Sequence, residues 1–416
     1  MQTLLLYKNK KEVFLFIFIL VIIFSSNLLL KYNNFLNFNK NEIFTTEVKI
    51  INVYQKEKFD ILKLSNNNLV FYTSCTKNNF FQNDFISITI LTNQVNFYNY
   101  LKGFYTKSFN LFKLKPQNIL FLNTKKYINN QHNNKNISEI FNAIFLAIAL
   151  NKELQSTISS YGIAHLIAIS GFHLGVLSFI LYYILNIIYK YFHTNYFPYR
   201  NKRFDLLILV SIILFFYLSF LSNQASLLRA FVMYIFAIFM LRWNIKLLSF
   251  STLIICILFI IALFPKLLFS LSFWFSICGV FYIFLFLSYF KHINKILLFV
   301  FLNVWLYLAI NPISHYFFEL TSIVQISSPI FTMLFSLFYP IELFLHIFNI
   351  GYLFDSYIDI LLNYNISIAF VKTNIYFLIL YIVFSLLSIK SKKYFIFLNT
   401  LIILYNIYLY KSFISV

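Results

Sequence analysis

Apolar and polar residues fall into long blocks along this chain. An apolar run from Val13 to Leu30 follows Lys8, Lys10 and Lys11. Residues 31–136 are polar. Long apolar segments then return at about 163–189, 204–222, 225–241, 247–264, 269–290, 296–311, 323–348, 366–389 and 394–410. A helix that crosses a bilayer needs roughly 20 mostly apolar residues. The pattern therefore predicts a polytopic α-helical membrane protein. Ile137 to Leu150 is apolar but too short to span, and reads as an interfacial or buried helix. The first run could be a cleaved signal peptide. Its end, Ser25-Ser26-Asn27-Leu28, lacks a small-residue cleavage site, which favours an uncleaved transmembrane anchor over residues 1–30.

Block 31–136 has a different period. Glu47-Val48-Lys49-Ile50-Ile51-Asn52-Val53-Tyr54 and Ser87-Ile88-Thr89-Ile90 alternate, and Asn66-Asn67-Asn68 reads as a turn. Alternation bounded by turn residues predicts a small extracytoplasmic β domain over 31–136, with the polytopic part over 137–416.

Composition agrees with the membrane reading. Charged residues are 11% and hydrophobic residues 60% of the chain, against about 25% charged in soluble domains. Most of the surface must then face lipid. Asn, Lys, Ile, Phe and Tyr are abundant everywhere, as in AT-rich genomes, so position counts for more than totals. The net charge is +20, and its placement sets orientation. Cytoplasmic loops carry the excess of Lys and Arg. Here the clusters are Lys8/Lys10/Lys11, Lys190/Arg200/Lys202/Arg203, Arg242/Lys246, Lys291/Lys295 and Lys390/Lys392/Lys393. The alternate loops are nearly free of both residues, which predicts a cytoplasmic N-terminus and a periplasmic 31–136.

Loops 312–322 and 349–365 contain no Lys or Arg, so both fall on the outer side. The apolar stretch 323–348 between them must then cross twice or not at all. Ser327-Ser328-Pro329 and Pro340 interrupt it, predicting two half-helices or a re-entrant pair. Non-helical backbone at that depth survives only buried in protein or lining an aqueous cavity. Cys75, Cys256 and Cys278 form no disulfide framework or Cys-based zinc site.

Tyr161-Gly162-Ile163-Ala164-His165-Leu166-Ile167-Ala168-Ile169-Ser170-Gly171-Phe172-His173-Leu174-Gly175 resembles the signature of the ComEC competence family, roughly GLAHLLAISGLHxGL. Gln224-Ala225-Ser226-Leu227-Leu228-Arg229-Ala230-Phe231 resembles the family's PSxxRA helix start, with Ala225 where proline is usual. Phe273-Trp274-Phe275-Ser276 is similar to FQLSF, with Trp274 in place of glutamine. Phe318 to Leu334 is similar to YFxxFSxxSPLANLL; it keeps Ser328-Pro329 and has Thr332 for asparagine. Phe97-Tyr98-Asn99-Tyr100-Leu101-Lys102-Gly103 is a weaker match to the stretch closing the family's OB-like domain.

The resemblance implies an inner-membrane channel that carries single-stranded transforming DNA. It implies as partners that strand, membrane lipid, an extracytoplasmic DNA receptor of the ComEA type and cytoplasmic single-strand-binding proteins, and it allows a homodimer. It implies no cofactor. Many members add a metallo-β-lactamase-like domain. This chain ends at 416 without one, and its seven histidines form no HxHxDH cluster. The expectation is a protein that conducts DNA without cutting it, and is not an enzyme. No GxxxxGK[ST] loop is present, so energy would come from partners or from ratcheting by cytoplasmic binding proteins.

The motif positions make His165, Ser170, Gly171, His173, Gly175, Ser226, Arg229, Ser276, Ser328 and Pro329 candidates for the DNA path. Each also has a plainer reading. Gly171 and Gly175 form GxxxG, which serves close helix packing or leaves a gap beside a path. His165 and His173 would lie about 80° apart on one helix. They would line a pathway or make structural hydrogen bonds. Arg229 would snorkel to headgroups, contact phosphate or form a buried ion pair. Glu342 and His346, at i and i+4, read as a hydrogen-bonded structural pair, two ligands being too few for a metal site. Ser170 with a histidine base would suggest hydrolysis, but no carboxylate lies near in sequence to orient the base.

In the outer domain, 14 Lys against five Asp and Glu give +9 over 31–136. Lys102, Tyr105, Lys107, Lys113 and Lys115 interleave charge with rings, a pattern that holds single strands through phosphate contact and base stacking. The alternative is an amphipathic surface on anionic lipid. For the whole chain, the alternative function is a secondary transporter of an anionic or lipid-linked solute, though no clear inverted repeat supports it.

Single cysteines placed in 312–322 and in 349–365 are expected to label from the periplasmic side alone. Labelling from opposite sides would refute the re-entrant reading of 323–348.

Overall fold

The computed structural model describes residues 10–414 except 57, 67–68, 77–79, 81, 83, 94, 115–118, 222–224 and 244–248. Helix α1 (Lys10–Phe38) leads into β1 (Ile43–Gln55), β2 (Asp60–Ser65), β3 (Val70–Cys75) and β4 (Phe85–Leu91). Then come α2 (Phe97–Lys102), β5 (Phe104–Tyr105) and β6 (Ser108–Lys113). Four short helices follow: α3 (Ile119–Asn129), α4 (Lys135–Leu146), α5 (Lys152–Ser160) and α6 (Ala164–Ile167). Longer ones come next: α7 (Gly171–Asn195), α8 (Lys202–Phe220), α9 (Ala225–Arg242), α10 (Phe250–Leu263), α11 (Leu271–Phe290) and α12 (Lys295–Phe317). The chain continues through β7 (Leu320–Thr321), α13 (Ser328–Ile347), α14 (Asp355–Leu362), β8 (Ala369–Phe370), α15 (Ile375–Leu387) and α16 (Lys392–Ile414). It divides into two compact units: Met1–Thr124 with Ile254–Phe273, and Lys125–Leu253 with Trp274–Val416.

The first unit is built on one sheet of order β5-β3-β2-β1-β4-β6. Strand β1 has 13 residues and shifts register between Ile50 and Asn52. That length lets it pair with β4 along its first half and β2 along its second. A bulge adds bend and twist. The pairings are antiparallel except β3 with β5. The end strands β5 and β6 are consecutive in the chain, and Thr73 on β3 donates to Ser108 on β6 at 2.7 Å, so the sheet curls back on itself. The predicted alternation is realised: Leu62 and Leu64 of β2, and Ile86, Ile88 and Ile90 of β4, are fully buried. Phe35 and Phe38 from the last turns of α1, with Tyr100 of α2, complete that core. Asn67 and Asn68 of the expected turn lie outside the described residues, but Ser65 pairs with Val70 across it.

The second unit is helical. Lipid tails are as apolar as leucine, so helices in a membrane gain little hydrophobic drive toward one another and rely on packing and interhelical hydrogen bonds. Helices α11, α12, α15 and α16 show both. Tyr282, Phe286, Trp305, Tyr381, Phe395 and Leu398 form a shared core. Trp305 Nε1 donates to Asn399 Oδ1 at 2.7 Å, Asn311 Nδ2 to Asn406 Oδ1 at 2.7 Å, and Tyr381 OH to the Ala309 carbonyl at 2.6 Å. Between α7 and α8, Arg200 grips Asp205 through two bonds of 2.8 Å, and Tyr189 OH donates to the same carboxylate at 2.5 Å.

Among the described residues, seven helical spans are long and apolar enough to cross a membrane. The chain is thus a polytopic helical protein with an N-terminal β domain. Two expectations change in detail. The segment 163–189 is not one helix: α6 ends at Ile167 and α7 starts at Gly171. The stretch 323–348 is neither two half-helices nor a re-entrant pair. It is a 3-10 turn, Ile323–Ser327, followed by the single helix α13 with Pro340 inside it. An internal proline removes one backbone bond, which helices packed in membranes tolerate. Pro329 sits in the first turn, where no N–H is required.

Leu64→Ala should destabilise the sheet by about 2–5 kcal/mol, as large-to-small changes in packed cores do. Hydrogen exchange should show faster opening of β2 and β3 amides.

Candidate functional site

The ComEC-like signature forms a break between two helices. Ala168 and Ser170 are extended, and Ser170 is the N-cap of α7. The Phe172 amide donates to Ser170 Oγ at 3.3 Å, and the Ser170 amide donates to His173 Nδ1 at 3.2 Å. This is a capping box with histidine in place of the usual glutamate or glutamine. Because Nδ1 accepts the amide hydrogen, a neutral His173 carries its own hydrogen on Nε2. The ring is buried and meets Tyr339 at a centroid distance of 4.6 Å and Phe335 at 5.6 Å, both on α13.

His165 does not join it. It lies exposed on α6, so the two histidines do not share a helix face. The shared-face expectation assumed an unbroken helix. The GxxxG reading also divides. A Cβ on Gly171 would sit 3.6 Å from the Ala230 side chain of α9, an ordinary contact, while one on Gly175 would meet nothing within 4 Å. Gly175 lies on an exposed surface of α7 and not in a helix–helix seam. Arg229, one residue before Ala230, is buried, and Ser226 is half-buried in the first turn of α9. The start of α9 therefore lies against the start of α7.

Ser328 and Pro329 join the same construction from the other side. Gly162 adopts φ +70°, and a Cβ there would lie 3.2 Å from Ser328 Cβ and 3.3 Å from Gln325 Cγ. Ser328 Oγ donates to the Gly162 carbonyl at 3.0 Å, Gln325 Nε2 to the Ser159 carbonyl at 3.1 Å, and Ser322 Oγ to the Ser160 carbonyl at 2.5 Å. Both Ser328 and Pro329 are buried. Two motifs more than 150 residues apart are thus one joint. Ser276 is half-buried on α11, within the other helix group.

The far end of α13 holds residues that sequence reasoning left unconnected. Glu342 and His346 are both buried, with His346 Nδ1 3.1 Å from Glu342 Oε2. His346 Nε2 is 3.1 Å from His132 Nε2, and His132 Nδ1 is 2.9 Å from Asp355 Oδ1. Gln131 accepts from the Gly351 amide at 2.9 Å and donates to the His346 carbonyl at 3.2 Å. Phe141 stacks on His132 at 4.6 Å. No local pattern links residues 132 and 346. The available signal was the rarity of buried-type polar residues in apolar surroundings.

In the β domain the proposed DNA-contact residues are dispersed. Lys102 lies over Tyr98, at 5.9 Å from the ring centre. Tyr105 is exposed on β5, and its hydroxyl donates to Ser74 at 3.0 Å. Lys107 is exposed between β5 and β6, and Lys113 is paired with Asp84 at 2.7 Å. Lys115 lies outside the described residues. Burial pulls the Lys49 amine down to about 8, with the rings of Phe85 and Phe121 each 5.8 Å away. Part of the +9 charge is therefore engaged within the domain.

Gly162→Ala should cost roughly 1–3 kcal/mol, from the left-handed backbone and the crowding against Ser328. Ser328→Ala should cost less, about 1 kcal/mol, the worth of one hydrogen bond. Thermal unfolding of the full chain in detergent would rank them.

The family model described as Competence protein matches residues 148–412, which include every element of this joint. No curated protein and no solved structure matches the chain. With more than half of its length matched, the chain belongs to the competence-protein family.

Proposed function

We propose that this chain forms the inner-membrane path by which one strand of transforming DNA enters the cell. The observation that carries the reading is the joint itself. Helix breaks at Ala168–Ser170 and at Ile323–Ser327, and the buried Arg229, lie in otherwise apolar surroundings. Such groups persist in a membrane only where protein or an aqueous cavity satisfies them. A polyanionic strand requires a hydrated corridor of that kind.

The charge pattern supports an orientation with the N-terminus in the cytoplasm and the β domain outside. The strand order and the parallel β3–β5 pair support an OB-type barrel, a frequent platform for single strands. In this reading the barrel receives DNA from an extracytoplasmic receptor. Binding proteins in the cytoplasm draw the strand inward, and the chain itself contributes passage without cleavage.

Deleting the gene and following labelled DNA tests the proposal. Label should accumulate outside the inner membrane while surface binding stays intact. Normal arrival in the cytoplasm would overturn it.

A further inference from the structure

The Glu342 carbonyl, His346, His132 and Asp355 stand end to end: His346 Nδ1 lies 2.8 Å from that carbonyl, the two Nε2 atoms are 3.1 Å apart, and His132 Nδ1 is 2.9 Å from Asp355 Oδ1, with the Glu342 carboxylate 3.1 Å from His346 Nδ1 as a charge partner. Each of the three hydrogen-bonded contacts needs one hydrogen between its atoms. Three contacts therefore need three hydrogens. At neutral pH two separate imidazoles carry one N–H each and two carboxylates carry none, given ordinary values of about 6.5 for His and about 4 for the acids. That leaves the chain one hydrogen short.

We propose that this cluster is a proton-binding site, and that the one additional proton it holds fastens the end of α13 to the stretch between α3 and α4. Without that proton, two lone pairs face each other across one of the three contacts. The clasp then loosens where His346, Gly351 and Asp355 meet Tyr127, Gln131 and His132.

The surroundings assign the proton further. Burial pulls His132 below its ordinary value, with Asp355 opposing. His132 is therefore neutral, donating from Nδ1 to Asp355 and accepting at Nε2. His346 must then donate from Nε2 to His132 as well as from Nδ1 to the Glu342 carbonyl, so the additional proton resides on the paired rings, beside the Glu342 carboxylate. The other groups facing the site are few. Tyr127 OH donates to the His346 carbonyl at 2.9 Å, and Asp359 stands one step away through Asn134 at 2.6 Å. Helix α4 presents the rings of Phe141 and Phe145.

The sign of the pH effect follows. Near neutrality the folded cluster binds one proton more than the unfolded chain does, so stability is greatest at lower pH and falls as pH rises through the site's own value. One proton of difference changes the folding equilibrium up to tenfold per pH unit.

The test compares full-length protein in detergent across about pH 6 to 9, using denaturant unfolding. Asp355→Asn supplies a fixed amide hydrogen to His132 Nδ1, which lets His132 donate from Nε2 to His346 with both rings neutral. It should keep the clasp closed and lack the wild-type decline, so the two folding constants diverge by up to tenfold per pH unit. His132→Phe removes the chain and should also abolish the decline, from a lower starting stability. A constant, pH-independent offset between wild type and Asp355→Asn would overturn the proposal. So would a wild-type decline that chelator or added zinc reshapes, since a metal would then fill the place assigned to the proton. Asp355→Asn is nearly isosteric, so the comparison stands even where His132→Phe fails to fold.

Discussion

A carbonyl or amide exposed inside hydrocarbon has no water to turn to, and this requirement governs the helical unit more than any apolar contact does. At three helix ends among the described residues, side chains supply the missing partners. His173 accepts the amide at the break before α7. Ser322, Gln325 and Ser328 donate to the three carbonyls of Ser159, Ser160 and Gly162. Tyr127 and Gln131 donate to the carbonyl that ends α13. At the first two of these places the fastening residues belong to the family motifs, while Tyr127 and Gln131 lie outside them.

This explains why the motif residues are small or polar without making each one a contact for DNA. Ser170 and His173 shape a helix start. Gly162 clears space for Ser328. Gly171 lies within ordinary contact distance of Ala230. A path through the membrane needs such rigid irregularity before it needs chemistry. The buried Arg229 then lies beside a frame whose backbone is already held.

Much of the architecture was legible in the sequence because the two periods are so different. Strict alternation in β4 and long apolar runs in α11 and α12 each have one physical solution. Helix ends were harder. Ser170-Gly171 looked like the interior of a span, because a capping box with histidine at its third position lacks the usual glutamate. Pro340 looked like a break, because a single proline cannot reveal whether neighbours compensate for its lost N–H. The links 132–346 and 162–328 were invisible, since nothing local in a chain records which distant polar residues will meet. The lysine-aromatic interleaving in the β domain was visible, but not that Lys49 and Lys113 would be engaged with Phe85, Phe121 and Asp84.

Phe35 and Phe38 belong at once to the last turns of α1 and to the interior of the curled sheet. Helix α1 and the domain it enters are consequently a single solid piece. A domain hung on a flexible leash would sweep a wide arc and sample many headings. One mounted on the tip of a stiff rod keeps a fixed bearing, so any tilt of that rod in the bilayer steers the sheet directly.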